Sequence, residues 1–219
     1  MVEIPKSFYL VSSETPFPSI SLSLDELNGL IAVGGELSTQ RLIDAYSKGI
    51  FPWYSEGDPI LWYSPEPRMI LTPKSLHITK SLKKIICSNK FEIRNNYDFA
   101  AVINNCKYIK RAEQKGTWID NNMVDAYIKL HNKGFAHSVE AYDNGKLVGG
   151  LYGVAMGKVF FGESMFSIAN NASKVSLVYL LQELDYQLID CQIESSHLKS
   201  FGAFNVSRDS FALLLKELL

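Results

Sequence analysis

The chain has 219 residues, 47% of them hydrophobic and 21% charged, which excludes a disordered or collagenous protein and suffices for a buried core. A net charge of -1 excludes a uniformly basic or acidic surface, and three scattered cysteines (Cys87, Cys106, Cys191) argue against a disulfide scaffold or a cysteine-rich zinc site. MVEIPKSFYL lacks the basic start and apolar run of a signal peptide, and no stretch reaches the ~18 apolar residues of a membrane span, so a soluble protein of a reducing compartment is expected.

Residues 1–73 are rich in turns, aromatics and prolines and read as a small N-terminal domain. STQRLIDAYSKG predicts a helix, because the Ser38 hydroxyl can accept from free N–H groups of the first turn and Gly49 can end it in a left-handed conformation. Leu42, Ala45 and Tyr46 make its apolar side. IFPWYSEGDPILWYSPEPRMILTP follows, where prolines forbid a regular helix and short strands and aromatic turns are expected. Residues 74–219 read as the main domain. SLHITKSLKKIICSNK predicts a helix with Ile78, Leu82, Ile85 and Ile86 inward. KFEIR is a short strand, DFAAVINNCKYI a helix capped by Asp98, and DNNMVDAYIKLHNKG a helix closed by Gly134.

The pattern then turns to sheet. Residues 136–166 read as an antiparallel meander, with Asn144-Gly145 as a hairpin turn and a second turn near Gly157. ASKVSLVYLLQELDYQ predicts an amphipathic helix with Ser173 as its cap, LIDCQIE a strand, and DSFALLLKELL a last helix capped by Asp209. Strand, helix, strand over about thirty residues is a crossover unit, so the strands around GESMF and LIDCQ should be parallel neighbours. The expected class is α+β: a mixed sheet flanked by helices, in the arrangement of N-acetyltransferase-like acyltransferases.

Side chains alternate along a strand, so Asp190, Gln192 and Glu194 are expected on one face and Ile189, Cys191 and Ile193 on the other. Glu163 is the one charge in VFFGESMF, where a carboxylate must be paired, exposed or functional. Two carboxylates beside an amide can orient an amine and help remove its proton; they can equally line a wet rim. Cys191 faces the apolar side and reads as core. His197 reads either as a base or as a helix-start residue. Gly149, Gly150, Gly153, Gly157 and Gly162 point to bulges or to close approach of a ligand.

Charge is uneven. Residues 1–73 hold four Lys/Arg and nine Asp/Glu, residues 74–115 ten and three, and residues 116–219 eight and eleven. The middle block can draw a polyanion or simply be a solvated face, and Lys74, Lys80, Lys83, Lys84 and Arg94 are its candidate phosphate contacts.

NGLIAVGGELS at 28–38, YSKGIFPWYSEGDPILWYSPEPR at 46–68, GTWI at 116–119, GESMF at 162–166 and LIDCQ at 188–192 together closely resemble the leucyl/phenylalanyl-tRNA–protein transferases. The resemblance covers nearly the whole chain. It implies transfer of Leu, Phe or sometimes Met from aminoacyl-tRNA to proteins with N-terminal Arg or Lys, which marks them for N-end rule degradation in the bacterial cytoplasm. It implies a small N-terminal domain, an acetyltransferase-like domain, and no metal or coenzyme. By resemblance Glu163, Asp190 and Gln192 form the reaction centre. Trp53, Trp118 and Tyr127 match residues around the bound aminoacyl end, and Met165 and Ile189 match the lining of the amino-acid pocket. Leu151 falls where some relatives carry Met. The enzyme alternative is an acyl-coenzyme A-dependent N-acyltransferase, against which SIANNASK, ahead of the crossover helix, offers no glycine; a binding protein without chemistry is the other alternative.

Overall fold

The computed structural model describes residues 4–12, 14–109 and 119–219. Among them two sheets form. The first has the order β1-β2-β4-β3, from β1 (Tyr9–Leu10), β2 (Leu30–Gly34), β3 (Phe51–Pro52) and β4 (Leu61–Tyr63), with α1 (Thr39–Ser47) between its second and third strands. The second begins with β5 (Arg68–Leu71), α2 (Lys80–Cys87), β6 (Glu92–Asn95), α3 (Phe99–Tyr108) and α4 (Asn121–Asn132). It continues through β7 (Ala136–Asp143), β8 (Lys146–Met156), β9 (Val159–Ser167), α5 (Ala172–Gln182), β10 (Leu188–Gln192), α6 (Ser196–Lys199), β11 (Phe204–Val206) and α7 (Arg208–Leu218). Its seven strands run β11-β5-β10-β9-β8-β7-β6, a mixed sheet with helices, as the α+β reading expects. Arg68–Leu71, which the 1–73 segment contributes, is thus a strand of the larger sheet. Among the described residues no helix is long and apolar enough to cross a membrane.

Local signals account for much of this. Ser38 Oγ accepts from the Arg41 N–H at 3.3 Å and starts α1, and Asp98 accepts from the Ala101 N–H at 3.0 Å and starts α3. Asn144 and Gly145 both take positive φ, 49° and 75°, as a tight hairpin requires. Two caps fall elsewhere than expected. Asn171, at φ 70°, precedes α5, with Ser173 already inside the helix; Ser207 rather than Asp209 caps α7, accepting from the Ser210 N–H at 3.1 Å. Nor is α5 amphipathic. It packs on β7, β8 and β9 and is covered by α2, so eight of its eleven residues are buried.

The sheet glycines serve chain-to-chain packing. A Cβ on Gly149 would lie 2.4 Å from that of Ala172, so glycine lets α5 settle onto β8. Gly153 sits at a register shift of the β8–β9 pair, where a Cβ would lie 2.2 Å from the Phe161 carbonyl oxygen.

One departure from regular pairing makes the site. β9 and β10 are parallel neighbours, as the crossover predicts, with Leu188 opposite Val159, Ile189 opposite Phe160 and Asp190 opposite Phe161. Pairing stops there. On its other side β10 takes two steps, Asp190 to Gln192, for one step of β5, Ile70 to Met69. The strand bends at this bulge and the C-terminal ends of β9 and β10 part into a cleft.

Candidate active site

The cleft has a volume of about 440 Å³, within the range of small-ligand sites. Leu151 and Met165 line it from β8 and β9, Ile189 from β10, Leu177 and Leu180 from α5, and Trp53 from the segment after β3. Its wall is therefore largely apolar, and its polar groups are gathered where β9 and β10 diverge.

Asp190 borders the cleft but has no exposed surface. It is gripped by Arg68, also buried, whose Nε donates to Oδ1 at 2.8 Å and Nη2 to Oδ2 at 2.6 Å. The guanidinium lies between the rings of Phe51 and Phe211, 4.9 and 4.6 Å from their centroids, and its Nη1 donates to the Gly49 carbonyl at 3.0 Å. A planar fork against a carboxylate is the strongest geometry for such a pair. Both Asp190 oxygens are engaged by this fork, which suits the residue to holding its neighbours in place. It does act on Gln192, but through the backbone: Oδ1 accepts from the Gln192 N–H at 2.9 Å. That bond fixes Gln192 at φ 65°, a left-handed conformation that costs a residue with a Cβ roughly 1–2 kcal/mol.

The bend aims the Gln192 side chain at β9. Its Nε2 donates to Glu163 Oε1 at 2.7 Å. A carboxylate selects the donor end of an amide, so the Gln192 carbonyl oxygen is left for the cleft. Glu163 is nearly buried and is held from behind by two fully buried phenols. Tyr46 of α1 donates to Oε1 at 2.7 Å, Tyr127 of α4 donates to Oε2 at 3.1 Å, and the two phenols also touch each other. Burial pushes the Glu163 carboxyl up to about 7, against the pull of the donated bonds from Tyr46 and Tyr127; nearby Asp190 adds to the rise and the Gln192 amide opposes it.

A stability prediction follows from that rise. The native state keeps a proton on Glu163 at pH values where the unfolded chain, with an ordinary Glu near 4.3, has released it. The contribution is complete below about pH 4.3 and is lost as pH climbs through 7. Between pH 4.5 and pH 8 the protein should lose about 3 kcal/mol relative to the Glu163→Gln variant. Denaturant unfolding of both proteins across this range measures the difference; parallel pH curves would contradict it.

The structure brings Glu163, Asp190 and Gln192 together and sets Trp53, Leu151, Met165 and Ile189 around the same cleft. Tyr127 does not line the cleft; it backs two residues that do, Glu163 through its hydroxyl and Tyr152 through ring packing. Trp118 lies outside the described residues. Glu194 departs from the expected face: it falls beyond the bulge, exposed, and bonds Lys199 and Asn205. His197 lies in α6 on the cleft wall, its proton affinity lowered by burial and by Lys174. Cys191 is half-buried, and burial first, then Asp190, raises its thiol well above the usual range. Lys80, Lys83 and Lys84 are exposed on α2, which packs on the cleft-lining α5, and Lys74 is exposed shortly before it. Arg94 stands apart on β6, four strands from β10, bonded to Glu92 at 2.8 Å and stacked 4.1 and 4.4 Å from the Tyr97 and Tyr142 ring centroids. Sequence reasoning did not single out Arg68 or Tyr46 as site residues. The available signal for Arg68 was a cation opening the otherwise apolar strand RMIL.

Two family models match the chain: the leucyl/phenylalanyl-tRNA protein transferase N-terminal domain over residues 35–66 and leucyl/phenylalanyl-tRNA protein transferase over residues 70–216. A leucyl/phenylalanyl-tRNA–protein transferase of Nitrosospira multiformis is 51% identical over 212 residues, covering 95% of this chain and 91% of its own. One from Nitrosomonas eutropha is 52% identical, over 94% and 89%. One from Pseudomonas fluorescens SBW25 is 49% identical, over 95% and 93%. A solved structure of a functionally unknown conserved protein from Staphylococcus epidermidis is far more distant, at 10% identity over 81% of this chain and 68% of that one, with a TM-score of 0.44. With a half-identical match running almost end to end, and both family models covering the residues that build the cleft, this chain belongs to the leucyl/phenylalanyl-tRNA–protein transferase family.

Proposed function

We propose that the protein transfers leucine or phenylalanine, and in some cases methionine, from aminoacyl-tRNA to the N-terminal Arg or Lys of acceptor proteins. The observation that carries this reading is an apolar cleft with an oriented amide and a nearly buried carboxyl at the point where two parallel strands part. An aminoacyl ester is already activated, so its aminolysis needs placement and proton transfer more than a covalent nucleophile, and neither a metal nor a coenzyme is required by the chemistry. Leu151, Met165 and Ile189 would receive the apolar side chain, and a charged one would lose its hydration there. Gln192 would hold the attacking amine through its carbonyl oxygen, with Arg68 and Asp190 holding Gln192. Trp53 would stack on the terminal adenine, an interaction worth roughly 1–3 kcal/mol per base. The product enters N-end rule degradation, and the supply of charged tRNA puts the reaction in the bacterial cytoplasm. Residues 1–73 would supply the Trp53 wall and residues 74–219 the reacting groups.

Transfer of labelled Phe from charged tRNA to an Arg-terminated peptide tests the reading. Transfer is expected to that peptide and not to an Ala-terminated one. Acyl transfer from coenzyme A in place of tRNA would overturn it. Lys83→Glu/Lys84→Glu is expected to weaken tRNA binding at least tenfold at low salt and to flatten the log-log salt slope by about one to two, since each lost phosphate contact releases fewer counterions. Filter binding between 50 and 200 mM salt, roughly the range over which such contacts fade, measures both.

A further inference from the structure

We infer that Glu163 takes the proton from the incoming α-ammonium group, and that Tyr46 and Tyr127, which touch no substrate, close a ring of oxygens around Glu163 that holds this proton. The inference rests on the transferase reading. Tyr46, Tyr127 and Glu163 make three mutual contacts, one along each side of a triangle. Each contact needs one hydrogen. The two phenols supply two, and among these groups the third comes only from a protonated Glu163 carboxyl. As a carboxylate, Glu163 can accept from both phenols, but then the phenol oxygens face each other with no hydrogen between them. With one more proton every side is filled: Glu163 Oε2 donates to Tyr127, Tyr127 to Tyr46, and Tyr46 to Glu163 Oε1. Both phenols have 0% exposure, so bulk solvent does not reach them to supply the missing hydrogen.

The surroundings direct the proton toward the cleft. Tyr46 projects from α1 and Tyr127 from α4, and neither lines the cleft. Glu163 alone of the three does so. Among the described residues, the other charged or titratable groups near this ring are Asp190 on β10, neutralised by Arg68 on β5, and Tyr152 on β8, whose ring packs edge-on against Tyr127 at 5.7 Å. Gln192 on β10 is uncharged and donates to Glu163. Glu163 is therefore the only described acid bordering the cleft whose charge no cation already balances within the group.

The α-ammonium of the acceptor gives one proton to the Glu163 carboxylate and becomes a neutral amine. Its nitrogen attacks the ester carbonyl carbon, the C–N bond forms, and the bond from carbon to the ribose oxygen breaks. The second amine proton ends on the departing ribose oxygen. Glu163 then returns its proton to solvent as the product leaves. Gln192, whose amide is bonded to Glu163, orients the amine but carries no proton away.

The test compares two acceptors with wild type, Glu163→Gln, Tyr46→Phe and Tyr127→Phe. One is an Arg-terminated peptide with its ordinary amine. The other carries an aminooxy group at that position, which is already neutral at pH 7 and has no ammonium proton to lose. Glu163→Gln should slow Phe transfer to the ordinary peptide about 100-fold at pH 6.5 and less than fivefold to the aminooxy peptide. The gap for the ordinary peptide should itself shrink below tenfold at pH 9, where the amine is largely neutral in solution. Either phenylalanine variant should show the same acceptor dependence at about tenfold, with an unchanged KM for aminoacyl-tRNA. Equal slowing of both acceptors by Glu163→Gln, at both pH values, would mean that Glu163 only shapes the site and would overturn the inference alone. Wild type that transfers Phe to neither acceptor would overturn the transferase reading and this inference with it.

Discussion

Replacing Gln192 with glycine is expected to cost at least 100-fold in transfer rate while leaving the fold within about 1 kcal/mol of wild type. Both halves of this expectation come from one backbone angle. At φ 65° a Cβ is crowded by the neighbouring carbonyl, and glycine is not. Gln192→Gly keeps the backbone N–H that Asp190 Oδ1 accepts, so the bend in β10 persists. It removes the amide that donates to Glu163 and that faces the cleft. Gln192→Ala removes the same amide but retains the crowding. The alanine variant should therefore be less stable than the glycine variant by about 1 kcal/mol, the reverse of the ordering found in regular structure, where glycine is the costlier residue. Denaturant unfolding of the two variants, beside transfer of labelled Phe, measures stability and rate separately. Strain kept at a site and released by a substitution that destroys activity is the mark of a conformation held for function. If the alanine variant is the more stable, the left-handed bend is not what holds the amide.

This bend also marks where the sequence stops being informative. Helices that carry their own boundary chemistry were legible: Ser38 and Asp98 cap as read, and Asn144-Gly145 turns as read. The adjacency of Glu163 to Asp190 and Gln192 was legible too, because a strand–helix–strand unit over so short a span has one ordinary handed solution. Strict alternation beyond Asp190 was not a safe rule. A bulge is imposed by pairing with a partner strand more than a hundred residues away, and it turned Glu194 out of the site while turning Gln192 into it. Helix α5 departs from the amphipathic expectation for a similar reason: it packs on three strands of the sheet and on α2, and even Ser173 and Ser176 are buried. Tyr46 and Arg68 were hidden in another way. A tyrosine on the inner side of a helix reads as core, and an arginine before an apolar strand reads as a boundary. Only the tertiary fold shows that their polar ends meet Glu163 and Asp190.

Arg68→Met is expected to destabilise the protein by about 3–5 kcal/mol, because it leaves the Asp190 carboxylate buried with no cation. The double variant Arg68→Met/Asp190→Leu should recover most of that loss, to within about 2 kcal/mol of wild type, since two apolar side chains can fill the space between Phe51 and Phe211 without an unpaired charge. Transfer activity should not recover. The leucine offers no acceptor to the Gln192 N–H, so the left-handed backbone relaxes and the amide leaves its position against Glu163. Unfolding midpoints and single-turnover transfer rates across the cycle of wild type, two single variants and the double variant separate the two roles. Stability that returns while the rate stays about 100-fold down means that the ion pair is retained for placement rather than for folding. A double variant as fast as wild type would reduce Arg68 and Asp190 to packing, and the placement of the attacking amine would then have to come from Glu163 and its two phenols alone.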